Sequence, residues 1–237
     1  MTVRLVDCRP RDAYLEGHIP GAVHLDPERD LTGEIGDASR GRHPLPEPDV
    51  LAEAFSRAGI DADTFVLAFG AGNGWAARCW WLLRHLGHDA CGTLDMRAYD
   101  GPFEQGDSPL RGQSPFTVRV RTDDVIEAEE ILERLGDSAL VLYDARTPER
   151  WRGDTEPLDP VAGRIPGARN AFFERPLPAG ATEAPEVAAY CGSGVTAAVI
   201  VQRLVLAGRE DARMYPGSFS EWCRRPGFPV ETGEPAS

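Results

Sequence analysis

Three short patterns occur twice along this chain, and a repeat of that kind leaves few folds open. Leu5-Val6-Asp7-Cys8-Arg9 returns as Leu142-Tyr143-Asp144-Ala145-Arg146. Gly17-His18-Ile19-Pro20-Gly21-Ala22 returns as Gly163-Arg164-Ile165-Pro166-Gly167-Ala168. Val66-Leu67-Ala68-Phe69-Gly70-Ala71-Gly72 returns as Ala188-Ala189-Tyr190-Cys191-Gly192-Ser193-Gly194, with Phe69 opposite Cys191 when the glycines are matched. A helical run ending in glycine follows each third pattern, at 76–87 and at 197–208. Short apolar strands therefore alternate with helices in each half. That alternation predicts two α/β domains, each a mainly parallel sheet with helices on both faces. Loops at the carboxyl ends of such strands gather on one edge, where α/β proteins bind ligands.

In chain order, 26–48 is rich in Gly, Pro and charge and reads as an irregular insert. A short helix at 48–59 stops at Gly59, and 65–69 reads as a buried strand. Trp80, Trp81, Leu82, Leu83 and Leu86 ride the next helix as core or interdomain packing. The polar stretch 99–114 contains the linker, which divides the chain into a first domain at 1–106, a linker at 107–114 and a second domain at 115–237. The second half opens with 116–120. A helix follows at 124–135, capped by Thr122 or Asp123 and stopped by Gly136. A central strand at 139–143 and an irregular excursion at 151–162 come next.

Cys191-Gly192-Ser193-Gly194-Val195-Thr196 lies between the apolar run 187–190 and the helix at 197. Strand, tight turn and helix N-terminus follow in order. Two glycines let successive N–H groups face inward, and the positive end of the helix dipole points at the same spot. Such a setting favours the nucleophilic thiolate. The competing reading is a buried cysteine beside an ordinary glycine turn.

The chain has 237 residues and a formal charge of −13, which disfavours nucleic acid as a partner. All 25 basic residues are Arg, so an anion site must be built from local Arg and backbone N–H groups. No apolar run approaches the length of a membrane span. The N-terminus runs straight into a strand without a signal-peptide core, so a cytoplasmic location is expected. Five cysteines, with no C-x-x-C pair and no zinc spacing, suit reduced thiols. Cys8, Cys79, Cys91 and Cys223 read as packing or incidental thiols. His24, His43, His85 and His88 form no metal-like cluster, and no metal or cofactor is implied.

The loop beginning at Cys191 resembles the six-residue active-site loop of rhodanese-family sulfurtransferases, in its 3-mercaptopyruvate version. The thiosulfate version usually carries basic residues after the Cys, and this loop has none. Cys-dependent phosphatases of related fold need a longer loop ending in Arg, whereas Thr196-Ala197-Ala198 follows here. Tyr215-Pro216-Gly217-Ser218-Phe219-Ser220-Glu221-Trp222 resembles the family's closing Gly-Ser-Trp-x-x-Trp segment, with Phe219 for the first Trp. The resemblance covers nearly the whole chain and implies two rhodanese-like domains. The first is trimmed at its N-terminus, because only about six residues precede its Asp-x-Arg strand, and it is catalytically silent.

The resemblance implies that Cys191 takes a sulfur from a small anionic donor, thiosulfate or 3-mercaptopyruvate, becomes a persulfide, and passes the sulfur to cyanide or a thiol. Gly192, Gly194, Val195 and Thr196 would cradle it, and the Thr196 hydroxyl would cap the helix or bond the persulfide. Arg150 matches the family's Gly-Arg-aromatic segment and would fork onto the donor's anionic end. Arg146 reads as structural, pairing with Asp144 or a loop carbonyl. Ser193 would belong to a proton relay with His18, and with Asp7 or Asp12 behind it. The second Arg of the animal mercaptopyruvate enzymes is missing from Glu156-Pro157-Leu158-Asp159-Pro160. Arg164 stands where the Gly-His-Ile-Pro-Gly segment has His, and reads as a compensating donor ligand or a surface substitution. The alternative to an enzyme is a non-catalytic rhodanese-like module that carries sulfur or binds a protein.

Overall fold

The computed structural model describes residues 2–108 and 112–234. It divides into two compact units, 1–33 with 45–121 and 34–44 with 122–237. In unit 1, β1 (Thr2–Asp7), α1 (Arg11–Glu16) and β2 (Val23–His24) are followed by α2 (Pro48–Arg57). Then come β3 (Thr64–Phe69), α3 (Trp75–His85) and β4 (Cys91–Leu94). In unit 2, α4 (Ala128–Glu133), β5 (Leu140–Asp144), α5 (Pro148–Arg152) and β6 (Arg169–Asn170) lead to β7 (Glu186–Tyr190). α6 (Ala197–Leu206), β8 (Arg213–Met214) and α7 (Ser218–Trp222) complete it. The strand orders are β2-β1-β3-β4 and β6-β5-β7-β8, and every pairing is parallel. The repeated sequence is therefore a repeated sheet.

Central strands β5 and β7 are buried at four consecutive positions rather than at alternate ones. Continuous burial is what a parallel strand covered on both faces requires. Ile126, Ile131, Leu142, Ile165, Tyr190 and Trp222 form one core cluster of unit 2. Trp222 meets Tyr215 edge-on and donates its indole N–H to the carbonyl of Pro229 at 2.7 Å. In unit 1, Trp80, Trp81, Leu82, Leu83 and Leu86 of the α3 region are buried.

Register corrects one alignment. Asp7 pairs with Phe69 and Asp144 pairs with Tyr190, and the next amides, of Cys8 and Ala145, donate to the carbonyls of Phe69 and Tyr190. Phe69 is thus the counterpart of Tyr190, and Gly70 stands where Cys191 does. Matching glycines shifted the comparison by one residue. Phe69 lies in the core with Ile19 and Ala22. Gly70, like Phe69, offers no nucleophile.

The boundary also differs from 115. The amides of Ser114 and Phe116 donate to the carbonyl and hydroxyl of Ser56. Those of Arg119 and Arg121 cap the end of α3 through the carbonyls of Leu86 and His85. Residues 115–121 accordingly pack with unit 1 and form no strand. The stretch 116–120, read as the opening of the second half, serves a helix end of unit 1. The helix expected from 124 begins at Ala128, because the Met214 amide first donates to the Asp124 carbonyl and the Ile126 amide to the Met214 carbonyl. The insert at 34–44 belongs to unit 2 and carries only a short 3-10 turn at Ala38–Arg40.

Candidate active site

Six residues link the end of β7 to the start of α6, too few for anything but a tight curl. Gly194 sits at φ 79°, in the left-handed region that glycine enters without penalty. That turn aims two amides at Cys191: its Sγ accepts from Gly194 N–H at 3.1 Å and from Ser193 N–H at 3.4 Å. α7 braces the loop from behind. Cys191 N–H donates to Ser218 Oγ at 3.1 Å, and the Cys191 and Gly192 carbonyls accept from Phe219 and Ser220 at 3.0 Å each. Ser218 is the one non-glycine residue with positive φ among the described residues, at 54°. Strain of that kind persists only where surroundings enforce it, and here the Tyr215 carbonyl accepts its hydroxyl at 2.9 Å. Cys191 is 2% exposed, Val195 is buried and Thr196 half-buried. Thr196 stands at the N-cap of α6 without a side-chain cap bond.

Ser193 Oγ lies 2.8 Å from His43 Nδ1. His43, assigned no role by its sequence context, is therefore the imidazole this serine touches. His18 instead has both ring nitrogens engaged inside unit 1, Nδ1 with the Tyr14 carbonyl at 3.0 Å and Nε2 with Ser108 Oγ at 2.9 Å. Its backbone forms an antiparallel bridge with Glu104, as that of Arg164 does with Glu231 in unit 2. The two positions are counterparts that each strap a later segment to their sheet. Asp7 is buried and clasped by Arg9, and Asp12 is exposed. Arg164 is neither a surface residue nor a donor ligand. It is 1% exposed, stacks 4.2 Å above the Trp151 ring, and donates to the carbonyl of Gly233 and the carboxylate of Glu231.

Arg146 pairs with Asp144 at 2.6 Å and also donates to the Gly163 carbonyl at 2.7 Å, as Arg9 does with Asp7 and Gly17. Its Nη1 reaches Glu156 at 3.2 Å. Glu156 in turn receives Arg150 Nε at 3.1 Å and Nη2 at 2.7 Å. Asp159 accepts from Arg42 Nη1 and from Arg224 Nη1. Both Arg42 and Arg150 abut the loop. A Cβ built on Gly192 would lie 2.7 Å from Arg42 Nη2 and 3.4 Å from each terminal nitrogen of Arg150. Glycine at 192 lets two guanidiniums crowd the loop. Four guanidiniums and three carboxylates thus make a local cationic island in a strongly acidic chain.

The other thiols lack this setting. Burial pushes Cys8 up, with Cys79 beside it adding to the effect. Burial also pushes Cys91 up to about 12 and raises Cys223. Among the described residues no group of His, Cys, Asp and Glu could hold a metal ion, and no helix is long and apolar enough to cross a membrane.

The chain is 39% identical to a Pseudomonas aeruginosa protein provisionally named a 3-mercaptopyruvate sulfurtransferase, over 93% of this chain and 86% of that one. It is 38% identical to SseB of Mycobacterium tuberculosis, provisionally named a thiosulfate sulfurtransferase, over 93% and 85%. The crystal structure of Tum1 from Saccharomyces cerevisiae superposes with a TM-score of 0.80 at 21% identity, covering 99% of this chain and 93% of that one. The family pattern of the rhodanese-like domain matches residues 1–105 and again 127–225. This chain belongs to the rhodanese-like family and carries two copies of its domain.

Proposed function

We propose that the protein is a sulfurtransferase that draws a sulfur atom from 3-mercaptopyruvate onto Cys191 and delivers it to cyanide or a thiol. The observation that carries this reading is the convergence of the Ser193 and Gly194 amides on Cys191 Sγ. Fixed main-chain donors stabilise negative charge on a thiolate, and on the persulfide that replaces it, without reorganising. The provisional names of the Pseudomonas and Mycobacterium relatives support sulfur transfer and differ in the donor. A reaction run by a thiolate, on a chain whose five cysteines are free, suits a reducing compartment such as the cytoplasm.

The leaving groups separate the two donors. When the Cys191 thiolate attacks the sulfur of 3-mercaptopyruvate, an S–S bond forms and the S–C bond breaks. Its electron pair passes to the enolate of pyruvate, which must gain a proton on carbon. Ser193 Oγ–H, in the loop itself, supplies that proton to carbon and is reprotonated by the Nδ1–H of a protonated His43, 2.8 Å away, which recovers a proton from solvent. Attack on thiosulfate expels sulfite, a stable anion that needs no proton. Cyanide then attacks the outer sulfur, leaves as thiocyanate, and restores the Cys191 thiolate. Arg150 holds the donor's anionic end in this reading, and Gly192, Gly194, Val195 and Thr196 shape the cradle.

The protein treated with 3-mercaptopyruvate and no acceptor should gain the mass of one sulfur on the peptide containing Cys191, and cyanide should remove it. Sulfur found on another cysteine, or on none, would end the proposal. His43→Ala should lower kcat/KM for 3-mercaptopyruvate about 100-fold and leave thiosulfate within about threefold of the parent. His18→Ala should cost stability without changing the ratio of the two donors. Equal losses with both donors in His43→Ala would remove the proton relay.

A further inference from the structure

We infer that Arg42 is a specificity-determining residue of this site, which with Arg150 grips the carboxylate of a 2-oxo acid donor. The inference rests on the sulfurtransferase reading and names the substrate class through residues that the family's usual pattern does not supply. The excursion after Glu156-Pro157 lacks its expected arginine and has Leu158 and Asp159 there. Asp159 recruits an arginine from elsewhere. Its side chain is fully buried, and Oδ1 accepts from Nη1 of Arg42 and from Nη1 of Arg224. The backbone N–H of Arg42 is pinned to Ser220 Oγ at 3.0 Å, on the helix that braces the cysteine loop. Arg42 is thus fixed at both ends.

What remains unengaged is the end that matters. Arg42 uses Nη1 on Asp159, and Arg150 uses Nε and Nη2 on Glu156. Arg42 Nη2 and Arg150 Nη1 make no hydrogen bond among the described residues, and both lie against Gly192. Two N–H-bearing nitrogens from two separately anchored guanidiniums therefore converge one residue from the nucleophile. A planar carboxylate accepts such a pair, one donor to each oxygen. The Asp159 Oδ2 atom is buried, accepts no hydrogen bond, and lies 3.5 Å from Arg150 Nη2. Through Oδ1 on Arg42 and Oδ2 near Arg150, the Asp159 carboxylate holds the two guanidiniums together against their mutual repulsion and leaves Arg42 Nη2 and Arg150 Nη1 to the loop. Arg42 immediately precedes His43, so a single segment, 34–44, would deliver both the grip on the donor and the proton for its leaving group.

The test is Arg42→Gln, which keeps a hydrogen-bonding amide and removes the charge. KM for 3-mercaptopyruvate should rise about 10- to 100-fold while kcat changes little, as expected when a charge-assisted contact to the bound donor is lost. Inhibition by pyruvate, which has the carboxylate and no sulfur, should weaken in parallel. Discharge of a preloaded Cys191 persulfide to cyanide should be unchanged. Arg42→Lys should recover only part of the affinity. An unchanged KM with unchanged pyruvate inhibition would overturn the assignment. A fall in kcat common to both donors and to persulfide discharge would also overturn it, and would reduce Arg42 to a brace for Asp159. Pyruvate binding to the Cys191→Ser protein, measured by calorimetry with and without Arg42→Gln, separates this from failure of the sulfur-transfer reading. The carboxylate grip is tested there even if no sulfur moves.

Discussion

Cys191→Ser is expected to abolish sulfur transfer to cyanide, with a loss of at least about 10⁴-fold for 3-mercaptopyruvate and thiosulfate alike. Oxygen is smaller than the sulfur it replaces and brings no clash, so the curl of the loop should survive. The Gly194 and Ser193 amides keep an acceptor, and the backbone of residue 191 keeps its bonds to Ser218 and Phe219. The loss is chemical. A serine hydroxyl is far from ionised at neutral pH, and no sulfur–sulfur adduct can form on it. Cys223→Ser serves as the control, because burial raises that thiol and nothing in the proposed reaction uses it. Assays of thiocyanate formation, with circular dichroism to confirm the fold, decide the matter. Residual turnover within tenfold of the parent would transfer the reaction to another residue.

Much of this was legible in the chain itself because the relevant physics is local. Apolar runs of five or six residues, a glycine-rich turn and a helical run predict a strand, a loop and a helix with little help from the rest of the molecule. The Asp-x-Arg clasp was legible for the same reason, since Arg146 reaches Asp144 two residues away. The misses are all long-range. His43 meets Ser193 across 150 positions, from a Gly- and Pro-rich stretch with no periodicity to announce it. Arg42 meets Asp159 across 117. The adjacent pair Arg42-His43 inside an otherwise turn-forming segment was the one available signal, and it becomes telling only once the missing second arginine raises the question of a substitute. His18 looked suitable because its motif is recognisable. Its burial under Tyr14 and beside Ser108, which explains the motif, is a tertiary fact. Strand register is set by pairing across the sheet, and matched glycines put Phe69 one residue out of step with it.

Arg146→Ala should be the most damaging truncation near the site for stability, at about 3–5 kcal/mol, the cost of stranding one partner of a buried ion pair. The side chains of Arg146 and Asp144 are 1% and 0% exposed, so the truncation leaves a buried carboxylate without its guanidinium. Burial alone would lower the pKa of Arg146, but the charge and hydrogen bonds of Asp144 outweigh it and hold the guanidinium above its ordinary value. The truncation also takes a donor from the Gly163 carbonyl and from Glu156, and removes a cation stacked 4.1 Å above the Phe219 ring. Arg146→Lys should not restore stability, because one ammonium cannot fork onto Asp144 while reaching Gly163 and Glu156. Arg9→Ala is the internal comparison. It breaks the same clasp in unit 1, but the Arg9 side chain is 12% exposed and among the described residues has no counterpart of Glu156, so the loss should be smaller. Urea unfolding, followed by Trp151 and Trp222 fluorescence for unit 2 and by Trp80 and Trp81 for unit 1 in single-unit Trp→Phe backgrounds, resolves the two. Equal losses from Arg9→Ala and Arg146→Ala would show that the clasp alone sets the cost. A larger loss at Arg146 ties the stability of unit 2 to the charge network that runs through Glu156 to Arg150. The anion grip and the fold would then share one buried ion pair.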